Sequence, residues 1–232
     1  MKKILLIGGS GYIGARMSKY LAESGFKVFV LCRSLPKKSI WESFISGFII
    51  GDITKNEILD KLLEQQFDVA IHLVSLNNKD SEGNPDFVSS INVLPTWNIL
   101  RMLSQEGLKK FIYFSTIHVY GNLPKAIITE DFVTKPQSAY GLTHLLSENI
   151  CNYFNENTKT ECINIRLSNG YGSPVFDSIN CWNLVLNDFC KTAYLKEKIV
   201  INSDGSPLRD FIHWFDIAKA LEIIIKNSKH NI

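Results

Sequence analysis

The sequence lacks the features that mark membrane-spanning and nucleic-acid-binding proteins. No apolar run approaches the length of about 18 residues that a membrane span needs. The apolar run at the start, Ile4–Ile7, is also too short for the hydrophobic region of a signal peptide. The 25 basic and 23 acidic residues nearly cancel, whereas a phosphate backbone requires a dense basic face. We therefore expect neither a membrane nor a nucleic acid as a partner.

Cysteine is scarce, and its spacing argues against disulfides and metal sites. The five cysteines include no C-x-x-C pair, and none has a histidine at the spacing of a zinc site. A small, odd number of scattered cysteines is typical of buried, reduced thiols. We expect a cytoplasmic protein without a metal site.

What the sequence does contain is a regular alternation of apolar runs and helical segments. Hydrophobic residues make up 45% and charged residues 21% of the 232 residues, as in ordinary globular proteins. Strand candidates are the runs 4–7, 27–31, 48–50, 69–74, 111–114 and 162–167. Helical spacing occurs at 12–24, 56–65, 87–105 and 139–155. Continuous apolar strands separated by helices predict an α/β protein with a doubly wound parallel sheet. Beyond residue 169 the pattern loosens, with helix candidates at 180–190 and 216–226 and a strand candidate at 198–201.

A glycine-rich segment, Gly8-Gly-Ser-Gly11-Tyr-Ile-Gly14, connects the first strand to the first helix. In such a loop Gly8 permits a tight turn, Gly11 lets the backbone approach a pyrophosphate, and Gly14 allows close packing of the helix. The helix N-terminus then presents unpaired N–H groups to the phosphates. A merely flexible glycine turn is the weaker interpretation, because the segment stands directly between a strand and a helix. The segment predicts a Rossmann-type dinucleotide site.

The second strand ends without the acidic residue that NAD sites usually have. About 20 positions beyond the glycines the sequence reads Cys32-Arg33-Ser34, with no carboxylate. The guanidinium of Arg33 matches a 2′-phosphate, although it could equally be a solvated loop charge. We favour NADP(H), with NAD(H) as the alternative. After the third strand, Asp52 either contacts the adenine amino group or caps a helix that begins near Thr54.

The fifth strand and the helix after it carry a candidate reactive group. Thr116 closes the strand at its carboxyl end, where open α/β sheets bind ligands. Tyr140 and His144 are four residues apart and share one face of a helix. A phenol with a hydroxyl and a cation beside it is suited to move a proton at a sugar hydroxyl or carbonyl.

These motifs together resemble the extended short-chain dehydrogenase/reductase family of NAD(P)-dependent nucleotide-sugar epimerases, dehydratases and reductases. Further matching segments are Gly51-Asp52-Ile53, Asp68–Ser75, Val119-Tyr120-Gly121, Arg166-Leu-Ser-Asn169-Gly-Tyr171-Gly172 and Arg209-Asp210-Phe211. The resemblance implies catalytic roles for Thr116, Tyr140 and His144. It implies cofactor contacts at Gly8, Gly11, Tyr12, Ile13, Gly14, Arg33, Asp52, Ile53 and Leu73. It implies substrate contacts at Asn169 and Arg209. Asn92 matches a helix asparagine that has either a structural or a proton-relay use, and we favour the structural one.

The chain departs from the family pattern in three places. His144 stands where the family has a lysine, and Ile117 and His118 stand where its dehydratases have an acidic pair. Sugar dehydration is therefore disfavoured, and the role of His118 stays open. The sequence also stops soon after the 209–221 region, so we expect a small, apparently truncated substrate lobe.

The resemblance and the departures lead to two functional hypotheses. We expect a Rossmann domain over 1–168 and a partial substrate region over 169–232 interleaved with it. The first hypothesis is a nucleotide-sugar 4-epimerase or 4-keto reductase that works by hydride transfer. The second is a weakly active or non-catalytic dinucleotide-binding regulatory module, because His144 replaces the lysine. The resemblance also implies a homodimer formed through helices 87–105 and 139–155.

Overall fold

The computed structural model describes residues 1–35, 43–123, 126–201, 204–206 and 208–227, with eight strands and seven helices in those ranges. The strands are β1 (Lys3–Ile7), β2 (Lys27–Cys32), β3 (Gly47–Ile50), β4 (Val69–His72), β5 (Lys110–Thr116), β6 (Glu161–Leu167), β7 (Asn169–Tyr171) and β8 (Phe211–His213). The helices are α1 (Tyr12–Glu23), α2 (Glu57–Leu63), α3 (Pro85–Asn92), α4 (Leu94–Gln105), α5 (Ala139–Asn157), α6 (Val185–Lys196) and α7 (Trp214–Lys226).

Six strands form one parallel sheet in the order β3-β2-β1-β4-β5-β6. The strand order reverses between β1 and β4, which is the point where open α/β sheets bind their ligands. The α/β fold class and the Rossmann-type arrangement are therefore confirmed.

The sheet is covered on both faces, which explains why its strands read as unbroken apolar runs. Every residue of Ile4–Ile7 is fully buried. On one face, α1 and α7 pack together in the same hydrophobic cluster, while α2, α4 and α5 cover the other. The segment 169–213 leaves the Rossmann layers. The chain returns to them in α7, which packs against α1. A domain boundary at residue 168 stays a prediction.

Three predicted elements differ from the structure. The helix predicted over 180–190 begins and ends later, as α6 at Val185–Lys196. The single helix predicted over 87–105 is two helices, separated at Val93, whose φ and ψ of −118° and −58° depart from helical values. Pro95 explains the break, since it has no N–H and its ring crowds the carbonyl four residues earlier.

The strand predicted over 198–201 is wrong. Its apolar residues Ile199, Val200 and Ile201 are 51–58% exposed, and they pair with no strand in the described part of the chain. A β-branched run favours a strand only where a neighbouring strand can take its hydrogen bonds. The short parallel pair of β7 and β8 forms instead.

Candidate active site

A cavity of about 620 Å³ opens at the carboxyl ends of the central strands. It is lined by six of the nine predicted cofactor residues: Gly8, Gly11, Arg33, Asp52, Ile53 and Leu73. The loop after β1 therefore meets the ends of β2, β3 and β4 at one place, as the strand-order reversal requires.

The glycine loop leaves space that side chains would fill. Gly8 has a φ of +84°, and a Cβ there would come within 2.7 Å of Cγ2 of Val74. At Gly14 a Cβ would lie 2.2 Å from the Gly8 carbonyl oxygen. The start of α1 can therefore approach the loop this closely only because residue 14 is glycine. At Gly11, the N-cap of α1, a Cβ would lie 3.3 Å from that same oxygen, and outside its chain neighbours no other atom of the described residues lies within 4 Å. This cradle at a helix N-terminus fits the pyrophosphate of a dinucleotide.

Asp52 lines the cavity and also organises its own turn. Its Oδ1 accepts hydrogen bonds from the backbone N and the Oγ1 of Thr54, each at 2.9 Å. These bonds, led by the one from the Thr54 backbone, lower the pKa of the Asp52 carboxyl, and the nearby Arg33 adds to the effect. The cap interpretation needs correction, because Asn56 rather than Asp52 is the N-cap of α2.

A second cavity, of about 490 Å³, adjoins α1 and is lined by two of the three predicted reactive residues. Thr116, Tyr140 and Asn169 line it, as do Tyr12 and Ile13, which the sequence analysis assigns to the cofactor. The hydroxyl of Tyr12 donates to the Gly172 carbonyl at 2.7 Å and accepts from Asn187 Nδ2 at 2.9 Å. Tyr12 thus ties the glycine loop to the segment after β7.

Tyr140 sits in the first turn of α5, with its phenol held by two hydroxyls. Ser138 caps this helix by accepting from the Gly141 N–H at 3.2 Å. Burial raises the pKa of the Tyr140 phenol, while hydrogen bonds from Thr116 and Ser75 act in the opposite direction. Burial is the largest of these effects, so the phenol is protonated at neutral pH.

His144 lies against Tyr140 but lines neither cavity. The two ring centroids are 4.5 Å apart, and the His144 residue is only 2% exposed. Its Nδ1 is 2.9 Å from the hydroxyl of Tyr113, and its Nε2 is buried without a partner in the described part of the chain. Burial lowers the pKa of His144 to about 4, with a smaller contribution from His118. His144 is therefore neutral at pH 7 and supplies no positive charge to Tyr140.

Of the two predicted substrate residues, Asn169 lines the second cavity and Arg209 does not. Asn169 begins β7, and its Nδ2 donates to the Asp210 carbonyl at 2.8 Å. This bond joins the two sequence segments that were predicted to contact substrate. Arg209 is exposed and close enough to His118 to lower the pKa of that imidazole.

The structure shows functional neighbours that the sequence analysis missed. Ser75 contacts the Tyr140 phenol, and Tyr113 holds His144. Glu148 is 2% exposed and forms an ion pair of 2.8 Å with Arg166, which joins α5 to β6. The signal for Ser75 is its position as the first polar residue after the apolar run of β4.

Asn92 lies within a helix and connects two segments by hydrogen bonds, which is a structural role. Its Oδ1 accepts from the Leu76 N–H at 2.8 Å, and its Nδ2 donates to Thr143 Oγ1 at 3.0 Å. It therefore fixes the loop after β4 relative to the Tyr140 helix.

Among the helices of the described ranges, none combines the length and the hydropathy that a membrane span requires. No group of three or more metal-binding side chains occurs in the same part of the chain.

The fold, with a glycine-lined cavity at its strand-order reversal, is that of a Rossmann-type α/β protein, and comparison with known proteins gives the family. The model of the NAD dependent epimerase/dehydratase family matches residues 4–232, and the chain belongs to this family. The predicted resemblance is confirmed.

Three relatives illustrate the likeness. A Methanocaldococcus jannaschii protein provisionally named a UDP-glucose 4-epimerase is 28% identical over 99% of this chain and 75% of its own length. A UDP-glucose 4-epimerase of Halalkalibacterium halodurans is 28% identical over 94% of this chain and 69% of its own length. The solved UDP-glucuronic acid 4-epimerase of Bacillus cereus, in complex with UDP-glucuronic acid and NAD, is 26% identical with a TM-score of 0.81. That alignment covers 99% of this chain and 75% of the Bacillus cereus chain.

Proposed function

We propose that this protein is a nucleotide-sugar oxidoreductase that acts at a ring carbon, as a 4-epimerase or a 4-keto reductase. The observation that carries the proposal is the placement of Tyr140 and Thr116 in one cavity beside the glycine-lined cavity. The arrangement puts a proton-transfer group next to a cradle that fits a dinucleotide. Family membership and relatives named 4-epimerases support the same activity.

In this proposal the dinucleotide lies in the first cavity and the sugar in the second. When bound, a nicotinamide dinucleotide supplies the acceptor and the donor of hydride. Tyr140 exchanges a proton with the oxygen on the reacting ring carbon. Thr116 donates a hydrogen bond towards the same oxygen, since its Oγ1 already accepts the His118 N–H at 3.3 Å. Asn169 and Arg209 hold the nucleotide diphosphate.

A panel of nucleotide sugars tests the proposal. Purified protein is mixed with each nucleotide sugar and NAD⁺ or NADP⁺, and separately with 4-keto nucleotide sugars and NADPH, and the absorbance of reduced nicotinamide is followed together with chromatography of the sugars. An epimerase interconverts two sugars without net cofactor consumption, whereas a reductase consumes NADPH with a 4-keto sugar. Absence of sugar turnover and of cofactor reduction across the panel contradicts the proposal.

We propose further that NADP(H) binds more tightly than NAD(H), because Arg33 lines the first cavity where NAD sites carry an acid. Replacing Arg33 with alanine should weaken NADP(H) binding by about 1.5–3 kcal/mol, the range for a charge-assisted hydrogen bond. NAD(H) binding should change little. Lys55→Ala removes another cation from the same cavity wall and is the matched control. Calorimetric titration giving equal affinities for both cofactors would overturn this preference.

We also propose a homodimer through α4 and α5. Trp97 and Tyr153 stack at 5.6 Å on the outer side of these helices, where they are 41% and 50% exposed. Leu142 and Leu146 on α5 are similarly exposed. Leu146→Glu should shift the sedimentation coefficient to that of a monomer, and Leu195→Glu, an exposed leucine on α6, should not. A wild-type protein that sediments as a monomer contradicts the proposal.

The second hypothesis, a weakly active or non-catalytic dinucleotide-binding module, is favoured by one observation. His144 is buried and neutral, so Tyr140 lacks the permanent cation of its family. Tight cofactor binding with no turnover in the nucleotide-sugar panel would select this function.

A further inference from the structure

Glu148 is a buried carboxylate that the proposed hydride transfer does not use. It lies about two turns after Tyr140 on the same face of α5, and both residues contact the carboxyl end of β5. Tyr140 is hydrogen-bonded to Thr116, and Glu148 accepts a hydrogen bond from the hydroxyl of Ser115 at 2.5 Å. Because Ser115 and Thr116 are consecutive residues, the two contacts hold one face of the helix against one end of the strand.

Arg166 on β6 completes this network and connects it to the turn after β5. Its guanidinium forms three hydrogen bonds of 2.8–3.2 Å with the two carboxylate oxygens of Glu148. Its Nη1 donates to the hydroxyl of Tyr120 and to the carbonyl of Glu130, each at 2.8 Å. The network of Ser115, Glu148 and Arg166 therefore joins α5 to both strands beneath it and to the chain that leads out of β5.

Stability alone does not account for a charged network at this place. Ser115 and Glu148 are 4% and 2% exposed, so the carboxylate of Glu148 loses its hydration on folding. Apolar side chains of similar volume often replace a buried ion pair without loss of stability, because that desolvation cost is then absent. A fully satisfied polar network instead restricts the core to one arrangement. The network thus favours one position of α5 on β5 over others that pack equally well.

Resting on the proposed function, we propose that Ser115, Glu148 and Arg166 are positioning residues that hold the Tyr140 hydroxyl within hydrogen-bond distance of Thr116. None of the three lines either cavity, so they act through Tyr140 and Thr116 and not on a ligand. A shift of α5 by about 1 Å is enough to weaken that hydrogen bond steeply. Misplacement of a reacting group by the same distance costs about 10²-fold in rate.

The test removes the network without leaving an unpaired charge. The triple variant Ser115→Ala/Glu148→Leu/Arg166→Met loses one anion and one cation together, and urea unfolding measures its stability. The matched control is Lys110→Met/Glu161→Leu, which removes a largely buried ion pair of 3.3 Å between β5 and β6. That pair lies at the amino ends of the two strands, away from the site.

The readout is the pKa of Tyr140, which requires no turnover. Protein labelled with ¹³C at the tyrosine Cζ is titrated by NMR, and the Tyr140 signal is assigned by its absence in Tyr140→Phe. The hydrogen bond from Thr116 lowers this pKa, so its loss should raise the pKa by about half a unit to one unit. The other titratable groups near Tyr140 are the same in every variant: Lys79, Tyr113, His118 and His144.

We expect this rise in the triple variant and not in the control. Thr116→Ala should raise the Tyr140 pKa by a similar amount and add nothing further to the triple variant, because the network acts through Thr116. An unchanged pKa in the folded triple variant overturns the inference. An equal rise in the control overturns it too, as does a rise that adds to that of Thr116→Ala.

Glu148→Ala is the second variant, used if the triple variant does not fold. It leaves the charge of Arg166 unpaired, and a nearby cation alone would lower the Tyr140 pKa. Loss of the Thr116 hydrogen bond raises it. A rise therefore supports the positioning role, and a fall or no change contradicts it.

The two proposals fail separately. On an accepted nucleotide sugar, the triple variant should lower kcat about tenfold or more with KM nearly unchanged. Turnover in the wild type without a change in the Tyr140 pKa refutes only the positioning role. A raised pKa in the triple variant, without turnover of any sugar by the wild type, refutes only the oxidoreductase function.

Discussion

Replacing His144 with lysine should raise activity, because it restores a cation beside Tyr140. A unit charge at about the present ring separation of 4.5 Å, in an effective dielectric constant of about 20, interacts with a phenolate by about 3–4 kcal/mol. That energy corresponds to a lowering of the Tyr140 pKa by roughly two to three units. The site is only 2% exposed, so desolvation of the new ammonium opposes part of this effect. We expect a net shift of about one to two units.

The assay is a pH–rate profile for oxidation of one accepted nucleotide sugar. Oxidation requires the Tyr140 phenolate to take the hydroxyl proton, so the rate should rise with pH up to the phenol pKa. Burial raises this pKa in the wild type, which should show an alkaline optimum. In His144→Lys the profile should move to lower pH by the same one to two units, and the rate at pH 7 should rise about tenfold or more.

A neutral replacement of His144 separates the effect of charge from the effect of side-chain shape. His144→Gln cannot become cationic, so its profile should stay at the wild-type position. Circular dichroism checks that each variant is folded, because both changes remove the contact with the Tyr113 hydroxyl. A wild type already fast at pH 7 and slowed by lysine would refute the reasoning and give His144 an active role.

Three further predictions concern catalysis, the glycine loop and acid stability. Tyr140→Phe should lower hydride transfer about 10²–10⁴-fold in single-turnover kinetics, with cofactor affinity retained, and Thr116→Ala should cost less; full turnover in the phenylalanine variant would exclude Tyr140 as the acid/base. Gly14→Ala should destabilise the fold by about 1–3 kcal/mol in urea unfolding, since its Cβ would meet the loop carbonyl at 2.2 Å. Gly83→Ala, where the nearest atom is 3.5 Å away, should not, and equal effects would contradict the packing argument. His72 is fully buried with its pKa lowered to about 3, so the unfolded chain binds a proton between about pH 6.5 and 3 that the folded chain does not. Stability should fall with decreasing pH in that window by up to about 1.4 kcal/mol per unit, and His72→Phe should reduce this slope; an unchanged slope would show that His72 does not cause it.

The sheet is predictable from the sequence because burial on both faces leaves an uninterrupted apolar pattern. The run Ile4–Ile7 is short, fully buried and followed by glycine. Its shortness and burial predict a strand, and the glycine predicts where that strand ends. After residue 169 the pattern of apolar residues predicts helices and strands less well. The 198–201 run has the composition of a strand, but pairing depends on a neighbour that local sequence does not specify.

The sequence predicts which residues of the site lie close together. It predicts the orientation of their side chains less well. Four-residue spacing on α5 places His144 beside Tyr140, as predicted. Its orientation depends on Tyr113, which comes from β5 and lies 31 residues away in sequence. Likewise, Tyr12 belongs to the glycine motif, yet its hydroxyl is directed by Asn187, 175 residues further on. Such long-range hydrogen bonds leave no periodic signal in the sequence.

Helix α1 forms a wall common to both cavities, and this constrains how the protein can be redesigned. Its N-cap, Gly11, faces the first cavity, while Tyr12 and Ile13 face the second. A library that varies Tyr12 or Ile13 to change sugar preference therefore also disturbs the helix start on which the dinucleotide cradle is built. Asn183 and Leu184 line the second cavity from a separate segment, just before α6. Under the proposed function, directed evolution of sugar selectivity is best begun at those two positions, which line the second cavity but not the first.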